Sequence, residues 1–63
     1  MRFRDARRLR PGDEVTLRST GQVATVLSVN IADEGPGGRI VELEVAVGRG
    51  GGTRLVLGHK EVR

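Results

Sequence analysis

Hydrophobic and polar residues alternate along most of the chain with a period of two, the pattern of β-strands that bury one face. This alternation predicts four strands, at residues 14–19, 23–31, 39–47 and 53–57, and a last short pairing segment through Val62. Segments rich in glycine and proline separate the strands and predict turns between them. The pattern therefore indicates a small antiparallel sheet.

The third predicted strand has the most regular pattern. Its valines and Leu43 face one way, and Glu42 and Glu44 face the other. A strand of this kind is typical of an antiparallel sheet with one buried face. We expect the two glutamates to lie opposite basic residues such as Arg54 or Arg18, because opposite charges across strands stabilise a sheet.

The second predicted strand is apolar on both faces for part of its length. Simple alternation places Val23, Leu27, Val29 and Ile31 on one face and Val26 on the other. Such a strand is expected where a strongly bent strand contributes to two sheets of a closed barrel.

The first ten residues have a different spacing. Phe3, Ala6 and Leu9 recur every three residues, which places them on one side of a helical or 3₁₀ turn, with Asp5 available as a cap or dipole partner. Pro11 ends the turn, because the residue before a proline avoids the helical region. We expect Phe3 and Leu9 to cover an open end of the sheet.

Together these elements predict a single all-β domain, residues 1–63: a small antiparallel barrel of about five short strands with a short N-terminal helical turn. The sequence PGDEV, a glycine turn and a strand containing TVLSV resemble the first hairpin of SH3-like barrels, including KOW-type modules and stand-alone bacterial proteins of that shape. The resemblance covers residues 9–30 and implies an SH3-like fold. KOW modules carry a further glycine where this chain has ATV, so no binding residue is transferred.

The chain is short for an independently stable domain. A domain of this size hides only about 60% of the surface that its unfolded chain exposes. The sequence contains no cysteine for a disulfide and no Cys/His cluster for zinc. Self-association is the remaining means of stabilisation, so a homo-oligomer is one expectation, and no metal or cofactor is expected.

Basic residues give a formal net charge of +3, and ten of the eleven are arginine. Five arginines fall within the first ten residues, where they suit a phosphate-binding arm, because each phosphate contact releases condensed counterions. GC-rich coding and a solvated charged face are the alternative explanations. The predicted nucleic-acid-binding residues are Arg4, Arg7, Arg8, Arg10, Arg49 and Arg54.

Other candidate chemistry has simpler explanations. Asp33 and Glu34 lack the spacing of a calcium loop and are interpreted as solvated turn residues. The loop from Gly48 to Arg54 lacks the lysine and following helix of a phosphate loop, so we interpret it as a hairpin loop. His59 has no cysteine, serine or second histidine nearby and is expected to cap a turn or bond the backbone. We predict no catalytic residue and no enzyme.

Phe3 is the one aromatic residue of the sequence apart from the histidine. This excludes proline-rich peptide grooves, methyl-lysine cages and base-stacking platforms, all of which need clustered rings. Two hypotheses remain: a nucleic-acid-associated module, and a protein-interaction or self-assembling module that uses an edge strand, either strand three or the C-terminal one. The chain shows no membrane span or signal peptide and no evident small-molecule substrate, so we expect a cytoplasmic protein.

Overall fold

The computed structural model describes residues 1–33, 35–36 and 38–63, which form mainly antiparallel β-structure. The elements are the helical turn α1 (Phe3–Ala6), strands β1 (Glu14–Thr16), β2 (Val23–Asp33) and β3 (Arg39–Val47), the 3₁₀ turn η1 (Arg49–Gly51), strand β4 (Thr53–Gly58) and the 3₁₀ turn η2 (His59–Glu61). The strands form one sheet in the order β1-β2-β3-β4, and all neighbours are antiparallel. A mostly β fold with a short helical turn is confirmed. The described residues contain a four-stranded sheet where the sequence predicts a barrel of about five strands.

After β4 the chain turns through η2 and returns to β1. Leu17 and Val62 form an antiparallel bridge. The backbones of Thr16 and Arg63 exchange two hydrogen bonds, of 3.0 and 2.9 Å. The predicted last pairing through Val62 is therefore confirmed as a bridge, and it ties the C-terminal segment to the edge of the sheet opposite β4.

The core lies on one face of the sheet and is centred on β3. Val41, Leu43 and Val45 are completely buried, as their alternation with the glutamates predicts. Leu55 and Leu57 of β4 are half-buried and pack against this core. The buried apolar residues are Ala6, Val15, Leu17, Ala24, Val26, Val41, Leu43, Val45, Val47 and Val62.

Strand β1 is shorter than predicted and ends at Thr16. The Leu17 N–H donates to the carbonyl of Gln22, and the Gly21 N–H donates to the carbonyl of Leu17, both at 2.8 Å. Gly21 has a φ of 76°, a conformation that side chains other than glycine rarely adopt. The chain therefore reverses at Leu17, before the predicted strand end at residue 19.

Strand β2 contains a β-bulge that changes which side chains face the core. Val26 pairs with Val45 and Val29 pairs with Leu43, so the partner strand has no residue opposite Leu27. Directly opposite side chains share a face of the sheet, and Val45 and Leu43 face the core. The predicted placement of Val26 and Val29 on opposite faces is wrong, because simple alternation does not count the extra residue.

The hairpin between β2 and β3 begins later than predicted. The ladder continues to Asp33, which pairs with Arg39 and lies 4.0 Å from its Nε. The start of the predicted loop 32–38 is therefore strand. Glu34, the other predicted turn carboxylate, lies outside the described residues, as does Gly37.

The predicted partners of the β3 glutamates are wrong. Glu44 lies opposite Val56 and Glu42 lies opposite Gly58, whereas Arg54 pairs with Ala46. The backbone N–H of Arg18 donates instead to the carbonyl of Glu61 at 2.9 Å. The register of β4 decides these pairs, and the charge pattern alone does not determine it.

Candidate nucleic-acid interface

The N-terminal segment is anchored to the sheet by its apolar side. Ala6 is completely buried, and the half-buried Phe3 and Leu9 pack against the core. The ring of Phe3 meets the edge of the His59 ring, with centroids 5.9 Å apart and planes at 83°. Phe3 also borders a shallow depression beside Arg39. The segment therefore lies at the end of the sheet where β3 begins.

His59 completes this anchor. Only 6% of its surface is exposed. Its Nδ1 accepts a hydrogen bond from the Val41 backbone N–H at 3.2 Å. The predicted backbone hydrogen bond of His59 is confirmed. The same residue uses its backbone carbonyl to accept a hydrogen bond from the Met1 amine at 3.1 Å.

Four of the six predicted arginines lie along this anchored segment. Arg4, Arg7, Arg8 and Arg10 are all exposed. Arg4 lies 4.0 Å from Asp5, a solvent-exposed pair of the kind that contributes little to stability. The apolar side chains between these arginines pack against the sheet and order the backbone of the segment. The four arginine side chains therefore extend from a backbone of fixed position.

A turn fixes the end of this arginine segment. The backbone N–H of Arg10 donates to the Asp13 carboxylate at 2.9 Å, and the Asp13 N–H donates back to the Arg10 carbonyl at 3.0 Å. Gly12 and Asp13 then bond the backbone of Val26 in β2. The predicted turn at Pro11 therefore connects the segment to the middle of the sheet.

The other two predicted arginines lie elsewhere. Arg49 is in η1, beyond Val47, which is about 20 Å along β3 from Val41 at roughly 3.3 Å per residue. Arg54 pairs with Ala46 on the face of the sheet opposite the core. The structure therefore does not bring Arg49 or Arg54 together with the N-terminal arginines.

A further basic cluster joins residues that the sequence leaves far apart. Arg2, Arg18 and Lys60 line one cavity of about 450 Å³ together with Met1. None of the three was among the predicted site residues. The sequence predicted a last pairing through Val62 without naming its partner strand, and the observed bridge from Val62 to Leu17 is what brings Lys60 near Arg18.

A second cavity adjoins this cluster. It has a volume of about 430 Å³ and an aliphatic floor of Leu17, Leu55 and Leu57. Arg18 and Lys60 border both cavities. The wall of this second cavity is polar and is formed by Ser19, Thr20, Gln22 and Glu61.

Comparison of the chain with protein-family profiles, with curated proteins and with solved structures gave no match. Across the described residues, no group of three or more His, Cys, Asp or Glu side chains is placed to hold a metal ion. Nor is any helix in that part of the chain long and apolar enough to cross a bilayer. The functional argument therefore depends on the basic surfaces.

Proposed function

We propose that this protein is a small non-enzymatic binding module with an SH3-like barrel fold, and that it associates with nucleic acid through arginine–phosphate contacts. The barrel is supported by the antiparallel order of the four strands, by the 3₁₀ turn η2 after β4, and by the return of Val62 to Leu17. Together they bring the C-terminal segment back beside β1.

The observation that carries the functional proposal is the two-sided N-terminal segment. Its apolar side is anchored through Ala6 and Phe3, while Arg4, Arg7 and Arg8 are exposed. Arginines on an anchored backbone bind phosphate with a smaller loss of backbone entropy than those of a disordered arm. Arginine–phosphate contacts do not read base sequence, so the expected binding is sequence-tolerant.

The test is a salt series of fluorescence anisotropy titrations with a labelled duplex and with a labelled single strand. The variant replaces Arg7, Arg8 and Arg10 together by glutamine. Each phosphate contact contributes about 0.9 to the slope of log K against log salt on duplex DNA, so losing three lowers the slope by roughly 2 to 3. The backbone hydrogen bonds of Arg10 are retained in this variant.

A matched control separates a local site from net charge. Replacing Arg49 and Arg54 by glutamine removes two charges from exposed positions away from the N-terminal segment, and this variant is compared with one in which only Arg7 and Arg8 are replaced. We expect this control to keep most of the affinity and most of the slope. Equal losses in the two double variants, or binding that is independent of salt, would contradict the proposal.

An exposed valine favours a second candidate, a protein-interaction or self-assembling module. β3 cannot serve as the edge strand, because β2 and β4 pair with its two sides. β4 is an edge strand, and its Val56 is 64% exposed. A strand with these properties suits pairing with a second sheet. Light scattering of the wild type and of Val56→Lys tests this: a larger species that the substitution dissociates supports it, and a monomer at all concentrations contradicts it.

A further inference from the structure

Three cationic residues line one cavity at the junction of the two chain ends with the turn that follows β1. Arg2 comes from the N-terminus, Arg18 follows β1 and Lys60 belongs to η2. Together with Met1 they are the residues that line the cavity of about 450 Å³. We refer to this cavity as the junction pocket.

Backbone hydrogen bonds hold the junction pocket in shape. The Met1 amine donates to the carbonyls of His59 and Val62, and the Arg18 N–H donates to the carbonyl of Glu61 at 2.9 Å. These contacts join all three segments through main-chain atoms. The backbone positions of these residues are therefore set by the fold, and their side chains can be changed without removing those bonds.

Three exposed cationic residues around one cavity create a positive local potential that favours an anion. Repulsion between neighbouring cations disfavours their approach unless an anion lies between them. Two carboxylates lie nearby and have other partners: Glu61 accepts a hydrogen bond from the Gly58 N–H at 2.8 Å, and Asp5 lies 4.0 Å from Arg4 and also raises the pKa of the Met1 amine. Among the described residues, those that line the pocket include no acidic side chain.

We propose that the junction pocket binds a phosphate group through Arg2, Arg18 and Lys60. Phosphate presents several oxygens to several donors at once, and guanidinium groups match it with two parallel hydrogen bonds each. A carboxylate has only two oxygens and would leave part of this donor set unused. The junction pocket is separate from the proposed nucleic-acid surface, which contains Arg7, Arg8 and Arg10. The inference about the junction pocket rests on the proposed function only if the phosphate belongs to a nucleic acid.

Inorganic phosphate is the first probe. Titrations followed by backbone amide chemical shifts, at constant ionic strength against chloride, test the pocket without nucleic acid. We expect saturable shifts concentrated at Arg18, Lys60 and their neighbours. Arg18→Gln and Lys60→Gln each weaken phosphate binding by about tenfold or more, as expected for a charged hydrogen bond, while Arg49→Gln leaves it unchanged.

Shifts that spread over all arginines without saturating, or that persist in the double variant Arg18→Gln/Lys60→Gln, would overturn the inference. Amide spectra of each variant show whether it remains folded. Because glutamine keeps the Arg18 backbone bond, loss of the fold is not expected.

The source of the phosphate is decided by oligonucleotides with and without a 5′-phosphate. Tighter binding of the phosphorylated strand, lost in the Arg18→Gln variant, assigns the pocket to the end of a nucleic acid. Equal binding of both strands alongside saturable inorganic phosphate binding assigns it to a free phosphate. The Arg7/Arg8/Arg10 variant separates the two ideas, because it removes the proposed nucleic-acid surface and leaves the junction pocket intact.

Discussion

The two ends of β3 are stabilised by different kinds of contact. At the Val41 end, the His59 ring accepts a hydrogen bond from the strand backbone, and Phe3 packs against that ring. The Met1 amine donates a hydrogen bond to the backbone carbonyl of His59. At the Val47 end, the turn η1 is closed by a local hydrogen bond from the Gly51 N–H to the Gly48 carbonyl at 3.1 Å. One end depends on residues distant in sequence, and the other on its neighbours.

This difference bears on function because both ends carry arginines. Those at the Val41 end belong to a segment with buried anchors, whereas Arg49 belongs to an exposed turn rich in glycine. Surfaces built on packed elements hold their charges in fixed relative positions. We therefore place binding at the Val41 end, and four predictions test the comparison.

The largest expected effect comes from the same substitution at both ends of the strand. Val41→Ala removes two methyl groups from a completely buried site, so we expect it to lower the free energy of unfolding by about 2 to 3 kcal/mol. Val47→Ala, at 7% exposure beside the hairpin, is expected to cost about 1 to 2 kcal/mol. Urea unfolding measures both. An equal or larger loss at Val47 would show that the Val41 end is not the more tightly packed one.

The second-largest expected effect on the free energy of unfolding comes from loss of the His59 hydrogen bond. His59→Leu leaves the buried Val41 N–H without its acceptor, at an expected cost of about 1 to 3 kcal/mol. His59→Asn offers an oxygen near the position of Nδ1 and should recover part of the loss. Hydrogen exchange at the Val41 amide should accelerate in the leucine variant. Unchanged exchange there would refute a stabilising role for this bond.

A glycine pair tests the hairpin end. Gly50 has a φ of 67° with open space around it, so Gly50→Ala should cost about 1 kcal/mol through backbone strain alone. Gly52 has a φ of −70°, and Gly52→Ala should be neutral or stabilising by up to roughly 1 kcal/mol. Neither substitution should alter nucleic-acid binding. A binding loss in Gly50→Ala with the fold retained would move the interface toward Arg49.

The smallest effect concerns the Met1 amine. Burial lowers its pKa below the ordinary value of 8.0, the nearby Arg18 guanidinium lowers the pKa further, and Asp5 partly offsets both. The folded amine is thus protonated less readily than the unfolded one. Its contribution to stability should rise as the pH increases toward 8.0 and level off above it.

Arg18→Gln removes one of these causes, so the rise should shrink, whereas Arg49→Gln should leave it unchanged. Unfolding measurements at several pH values up to and beyond 8.0 provide the readout. An identical pH dependence in wild type and Arg18→Gln would show that Arg18 does not lower the pKa of the Met1 amine.

The N-terminal and central segments show how far local patterns reach. The spacing of Phe3, Ala6 and Leu9 was enough to predict which side of the segment packs on the sheet, and the alternation in β3 was enough to predict its buried face. The bulge at Leu27 and the early reversal at Leu17 escaped prediction, because both depend on how the neighbouring chain pairs. The junction pocket was missed for a similar reason, since its cations come from three distant segments.

The sequence by itself determined the antiparallel β-structure, the glycine turns, the anchored helical turn and the exposure of its arginines, because each follows from side-chain periodicity or a backbone preference over a few residues. Tertiary structure alone decided the register of β4, the inward turn of both Val26 and Val29, and the separation of Arg49 and Arg54 from the other arginines. It also brought Arg2, Arg18 and Lys60 together. These features depend on contacts between residues far apart in the chain, whose geometry is set only when the core packs.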